Sequence, residues 1–164
     1  MTYEGSYLWR LRQAIGHELV LMPGAMVFVE RSDGHVLLTQ RTDDGSWCAP
    51  AGAAEVGGSF ARTGIDELFE ETGVQVERED IIPFASLSEE ALHTIHYPNG
   101  DVTHCFAMLL LVRKWRREPR PDGVETSAVA FAPVHDPPRP LHAPTACGLD
   151  LLQQYRRTGV FQLR

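Results

Sequence analysis

With 164 residues, 43% of them hydrophobic and 23% charged, the chain has the size and composition of one ordinary folded domain; extended disorder is excluded, and no disulfide or metal staple is needed to bury a core. Its formal net charge of -7 and a pI of about 5.4 exclude duplex nucleic acid as a main partner, because that binding rests on Lys and Arg neutralising phosphates. The apolar stretches are too short for a bilayer, and Met1 to Arg12 lacks the basic-then-apolar order of an export signal, so a cytoplasmic protein without membrane contact is expected.

Tyr7, Leu8, Leu11 and Ile15 recur at helical spacing ahead of Gly16 and predict an amphipathic helix that covers a sheet edge; with its lead-in it occupies 1–20. Ala25–Glu30 and His35–Gln40 are apolar runs joined by Ser32-Asp33-Gly34, the sequence form of a hairpin. After Gly45-Ser46-Trp47 a helix is expected from Phe60 to Thr72, with Ser59 as N-cap and Gly73 as stop. Strands are expected at Ile81–Leu87 and Leu92–His96. Asn99-Gly100 then supplies two left-handed residues for a tight turn into Val102–Val112, the longest apolar run. Ala128–Ala132 reads as a further strand. Pro133–Pro144, with five of the eleven prolines, reads as an irregular surface loop, and Leu149, Leu152 and Tyr155 mark a closing helix over 145–158. No repeat or linker interrupts this order, so 1–164 reads as one α+β domain with a mixed or antiparallel sheet. Cys48, Cys105 and Cys147, odd in number and widely spaced, read as reduced thiols.

Chemistry is concentrated in the 60–72 helix. At 100° per residue, Glu67, Glu70 and Glu71 share one face, with Ala61, Ile65, Leu68 and Thr72 opposite. Like charges at this spacing cost roughly 0.2–0.5 kcal/mol per pair, and Asp66 adds to the charge. An acidic helix face is most often simply solvated. The preceding loop of small residues, Pro50, Ala51 and Gly52 with Glu55, instead lets backbone and carboxylates converge on a hard divalent cation, Mg²⁺ or Mn²⁺.

Gly52 to Val74 resembles the Nudix box, the 23-residue signature G-x5-E-x7-R-E-U-x-E-E-x-G-U, in which U is a bulky aliphatic residue. Seven of the nine fixed positions match: Gly52, Glu67, Leu68, Glu70, Glu71, Gly73 and Val74. Tyr7-x3-Leu11-Arg12-x3-Gly16, Gln40-Arg41 and Tyr97-Pro98-Asn99-Gly100-Asp101 resemble a bacterial subgroup of ill-defined substrate. The resemblance implies an αβα sandwich with a mixed sheet between helices, and hydrolysis of a diphosphate in a nucleoside diphosphate linked to X, of the ADP-ribose, sugar-nucleotide or nucleoside triphosphate type. It further implies Glu67, Glu70, Glu71 and the Ala51 carbonyl as metal ligands, and a carboxylate such as Glu67 as general base. Homodimers are common in the family.

Other residues carry two readings each. Glu125, in a region where the family often places an extra acid, is a catalytic carboxylate or a solvated loop acid. Arg41 resembles a phosphate-contacting position or is a surface arginine. Trp47 and Tyr97 stack on a base or pack beside turns. His93, His96 and His104 are expected on strands without chemistry, and Arg113, Lys114, Arg116, Arg117 and Arg120 read as a solvated hairpin end or as a contact for a nucleotide's phosphates or a subunit partner. Two signature positions depart: Gly58 replaces Glu and Asp66 replaces Arg, with Arg62 as a substitute partner for Asp66. If the missing Glu and Arg normally brace each other, restoring both is expected to raise metal affinity or rate. Their loss makes a nucleotide-sensing module the alternative to an enzyme; an acid-base isomerase is weaker, since no cysteine is evidently arranged with the glutamates.

Overall fold

Alternation along two apolar strands, β1 (Val20–Val29) and β7 (Val102–Val112), sends a different hydrophobic set to each face, and this parallel pair is the axis of the molecule. The structure is a computed structural model that describes residues 4–97 and 99–164; Pro98, one of the residues of the Tyr97–Asp101 stretch, lies outside them. On one face Met26, Phe28, Leu109 and Leu111 pack with Phe84 and with Leu149 and Leu152 of helix α4 (Ala143–Thr158). On the other, Val27, Val29, Leu110 and Val112 pack with Leu68 of helix α2 (Phe60–Thr72). The sheet is mixed, with β4 (Ala51–Ala53) antiparallel to β1, β5 (Ile81–Leu87) antiparallel to β7, and β9 (Gln162–Leu163) beyond β5. β6 (Thr94–His96) also pairs with β7. This is the expected α+β sandwich of a mixed sheet between helices.

Helix α1 (Tyr7–Ile15) has the predicted extent and ends at Gly16, at φ 65°. Three expectations are corrected. The turn between β1 and β2 (His35–Arg41) closes, with Arg31 N–H on the His35 carbonyl at 2.9 Å, but beyond a Glu30–Val36 bridge the strands part. The edges of β1 are taken by β4 and β7, so β2 joins β3 (Trp47–Cys48) and β8 (Thr126–Pro133) in a separate sheet. Leu92–His96 is a strand only from Thr94; Leu92 and His93 both donate to the Glu89 carbonyl and close a helical turn, α3 (Glu90–His93). The closing helix begins two residues early, at Ala143, because proline is well suited to a first helical turn.

Buried Glu30 joins the layers, taking Arg113 Nε on Oε2 at 2.6 Å and Arg156 Nη2 of α4 on Oε1 at 2.5 Å. Two further members of the basic cluster meet acids: Lys114 pairs with Asp80 and Arg116 with Glu77. Among the described residues no helix is long and apolar enough to cross a membrane.

α4 lies on the sheet through a glycine. A Cβ at Gly148 would sit 2.5 Å from Phe28 Cζ and 3.3 Å from Leu109 Cδ2. Gly148→Ala is expected to destabilise the fold by about 1–3 kcal/mol through overpacking, read as a lower denaturation midpoint in urea; an unchanged midpoint would show that α4 floats on the sheet.

Candidate active site

Helix α2 starts where Ser59 Oγ accepts the Arg62 N–H at 3.2 Å and stops at Gly73, at φ 70°. Its inward face is Thr63, Gly64, Leu68 and Thr72, so the predicted Ala61 and Ile65 lie only half-buried. The rotation follows from Gly64, where a Cβ would come within 2.6 Å of Leu110 Cδ1. Glu71 is thereby turned inward and is 7% exposed, Glu67 is half-buried, and Glu70 remains exposed.

Each buried carboxylate has a specific seat on β4 and its neighbours. Glu71 Oε1 accepts the Ala51 N–H at 3.0 Å and Oε2 accepts the Thr39 hydroxyl of β2 at 3.2 Å. Glu67 lies on the Cα of Gly52: a Cβ there would be 2.1 Å from the carboxyl carbon, so only glycine admits this approach. The loop before β8 is held by Asp122, whose Oδ1 accepts the N–H groups of Val124, Glu125 and Thr126, and Thr126 Oγ1 donates to the Glu71 carbonyl at 3.0 Å. Glu125 is thereby held at the rim.

These groups border one cavity of about 780 Å³. Of the residues singled out from sequence, Arg41, Ala51, Glu67, Glu70, Glu71, Tyr97 and Glu125 line it. Trp47 does not: its indole packs against the α4-side core, while its backbone N–H donates to the Pro140 carbonyl at 2.8 Å and its backbone carbonyl accepts the His142 N–H at 2.9 Å. Arg41 is engaged by a neighbour, donating from Nε to Asp43 Oδ1 at 2.9 Å and from Nη2 to Oδ2. Sequence reasoning placed Glu55 in the loop converging on a cation and gave the histidines no chemistry. Glu55 accepts the Tyr7 N–H on both oxygens, at 2.9 and 3.0 Å, and so caps α1. His93 and His142 also line the cavity; a four-residue helix between two strands leaves no periodic signal by which to find His93.

The two signature departures have local explanations. Asp66 pairs with Arg62 Nε at 2.5 Å, as expected, an exposed i,i+4 contact of small energy. Gly58 donates its N–H to the Glu55 carbonyl at 2.9 Å, and a Cβ at Gly58 would stand 2.9 Å from that same oxygen. The loop is therefore shaped around a glycine, so restoring the glutamate at this position meets a steric cost. Gly58→Glu with Asp66→Arg is expected to open the Glu55–Gly58 turn and release α1, seen as faster amide hydrogen exchange over Tyr7–Arg12; unchanged protection would refute this.

Burial pushes the Glu71 carboxyl up to about 8, against the opposing Ala51 hydrogen bond and aided by Glu67. It pushes Glu67 up to about 7, with Glu125, Asp66 and Glu55 contributing further. Among the described residues no three His, Cys, Asp or Glu side chains are gathered closely enough to hold an ion. Both glutamates release their protons near 4.5 when unfolded and near 7 to 8 when folded, so the folded state binds more protons across that window. Stability without a divalent cation is expected to fall as pH rises from about 4.5 to about 8, and the stabilisation conferred by added Mg²⁺ is expected to grow over the same range. Denaturant unfolding at both ends of the window, with and without the cation, measures it; a cation effect independent of pH would contradict it.

A NUDIX domain family model matches residues 20–150. No curated protein matches by sequence. Among solved structures, a MutT NUDIX hydrolase from Burkholderia pseudomallei superposes with a TM-score of 0.64 at 24% identity, over 81% of this chain and 98% of that one. An ADP-ribose pyrophosphatase from Streptococcus suis gives 0.61 at 22% identity, over 87% and 98%. A UDP-X diphosphatase gives 0.65 at 16% identity, over 96% and 73%. At these identities the structural likenesses speak for the fold alone.

Proposed function

Because the chain belongs to the NUDIX domain family, we propose that it is a divalent-cation-dependent hydrolase that cleaves the diphosphate of a nucleoside diphosphate linked to a further group. The observation that carries this reading is the pair of inward-turned carboxylates, Glu67 on Gly52 and Glu71 on Ala51, at the wall of a cavity large enough for a nucleotide. Two acids whose ionisation is resisted by burial and mutual repulsion suit a cation site better than a plain binding surface, which has no need of them. Two of the structural neighbours, described as an ADP-ribose pyrophosphatase and a UDP-X diphosphatase, point to the same substrate class.

Glu67, Glu70 and Glu71, with the Ala51 carbonyl, would hold Mg²⁺ or Mn²⁺, which when bound neutralises charge developing on phosphate oxygens and acidifies water. The chain's other residues supply the rest. Water adds to one phosphorus, the bond from that phosphorus to the bridging oxygen breaks, and two phosphate monoesters leave. Glu125, held at the rim by the Asp122 turn, accepts the water proton, with Glu67 the second carboxylate able to do so. Arg41 grips a non-bridging oxygen once a substrate phosphate displaces Asp43 from its guanidinium fork. Tyr97, at the cavity wall, borders the group beyond the diphosphate.

The decisive assay incubates the protein with ADP-ribose, sugar nucleotides, dinucleoside polyphosphates and nucleoside triphosphates plus Mg²⁺ or Mn²⁺, and detects new monoesters by phosphatase-released phosphate. Glu71→Gln, which removes the charge and keeps the shape, is expected to lower turnover by at least ~10–100-fold, the loss typical even of groups that only support a metal's ligands. The loop shaped around Gly58 and the Arg62–Asp66 pair favour one other reading, a sensor that binds these compounds without cleaving them. Binding with no monoester release from any compound would establish it.

A further inference from the structure

We propose that His93 is a specificity-determining residue that accepts a hydrogen bond from an N–H or O–H group at the far end of the substrate, away from the diphosphate; this rests on the hydrolase reading for the placement of the diphosphate. Ala53, Gly24, Ala107 and Leu87 are register partners in consecutive strands β4, β1, β7 and β5, and so form one row across a single sheet face. The row starts at Ala53, beside Gly52 on the edge strand β4, and runs along the α4-side face of the sheet, across that edge from Glu67; the cavity borders both. Three strand spacings give it a length of roughly 14 Å, the reach of a nucleoside or sugar attached to a diphosphate. Ala53, Gly24 and Ala107 are small, which keeps the cavity open along the row, and all three line it.

His93 stands at the other end. It is 5% exposed, lines the cavity, and places Nδ1 3.3 Å from the carbonyl of Leu87, the last residue of the row. A carbonyl only accepts, so Nδ1 carries the ring proton. Burial lowers the proton affinity of this imidazole, which keeps it neutral, and the lone pair is therefore on Nε2. Nε2 has no partner among the described residues and is not sealed inside the protein, so the far edge of the ring is left to face the cavity. A buried acceptor of this kind discriminates strongly, because a ligand without the matching donor leaves it unpaired. The donors that fit are the amino group of a base or a hydroxyl of a sugar, two sources of one chemistry.

The test measures binding by calorimetry in chelator, where no bond is cleaved, for ADP-ribose, UDP-glucose, and an analogue of each lacking the donor: inosine diphosphate ribose, which exchanges the amino group for a carbonyl, and deoxy forms of UDP-glucose. On the unmodified protein, one parent compound is expected to bind ~10-fold tighter than its analogue, the worth of one buried hydrogen bond. A preference for ADP-ribose over the inosine compound assigns the donor to the base, and a preference for UDP-glucose over a deoxy form assigns it to the sugar. His93→Asn keeps a donor for the Leu87 carbonyl and deletes the Nε2 acceptor; it is expected to erase that ~10-fold preference and leave the analogue's affinity unchanged. His93→Gln, which returns an acceptor near the Nε2 position, is expected to restore the preference. Equal affinities for parent and analogue on the unmodified protein, an equal loss for both in His93→Asn, or no binding of any compound would each overturn the proposal. Preferential binding that depends on His93, with no turnover when Mg²⁺ is added, would uphold the role of His93 and overturn the hydrolase reading.

Discussion

The closest constraint in this protein is electrostatic and steric at once: two glutamates on one helix are pressed against a strand that has almost no side chains. Glu67 lies on the bare Cα of Gly52, and Glu71 reaches past it to the Ala51 N–H and Thr39. Helix α2 comes this near because Gly64 lets it settle onto Leu110 of β7. The surrounding order depends on that seat. β4 is short and small because it must pass beneath a helix, and Thr126 ties the rim loop to the Glu71 carbonyl, which brings Glu125 to the same cavity. Burial and repulsion resist ionisation of both acids, the electrostatic cost that the proposed cation would offset.

The box loop serves a second purpose. In the signature, the seventh position is a glutamate; here it is Gly58, folded into a turn so tight that any side chain meets the Glu55 carbonyl. The turn presents the Glu55 carboxylate to the Tyr7 N–H, and the first turn of α1 is anchored on the box loop. Through this contact α1 brings Leu8 and Arg12 to the cavity wall. Arg12 is itself buried, with Nη2 on the Val102 carbonyl at 2.7 Å, which fixes the far end of the helix on β7. The glycine at the signature's glutamate position and the docking of α1 are thus one structural arrangement.

Much of this was legible in the chain. Local signals placed α1 and α2 to the residue, since Ser59, Gly73 and Gly16 are caps whose chemistry acts within one turn. The spacing of Glu67, Glu70 and Glu71 pointed to the carboxylate cluster, and the Arg62–Asp66 pair followed from i,i+4 geometry. Where contacts at a distance compete with local preference, the reading failed. The hairpin of β1 and β2 divided between two sheets because β4 and β7 hold the edges of β1. Trp47 carried two readings, stacking on a base or packing beside a turn, and only the assembled core decided for packing.

By itself the sequence determined the elements whose causes are local: helix limits, turn residues, strand alternation and the composition of the acidic face. Only the tertiary structure decided which of those acids is buried, which glycine is steric and which is a turn, and which histidine meets the cavity. The physical reason is that burial and close approach belong to pairs of segments far apart in the chain. Gly52 and Glu67 are 15 positions apart, and Leu87 meets His93 only after β5 has paired with β7 and α3 has turned back upon it.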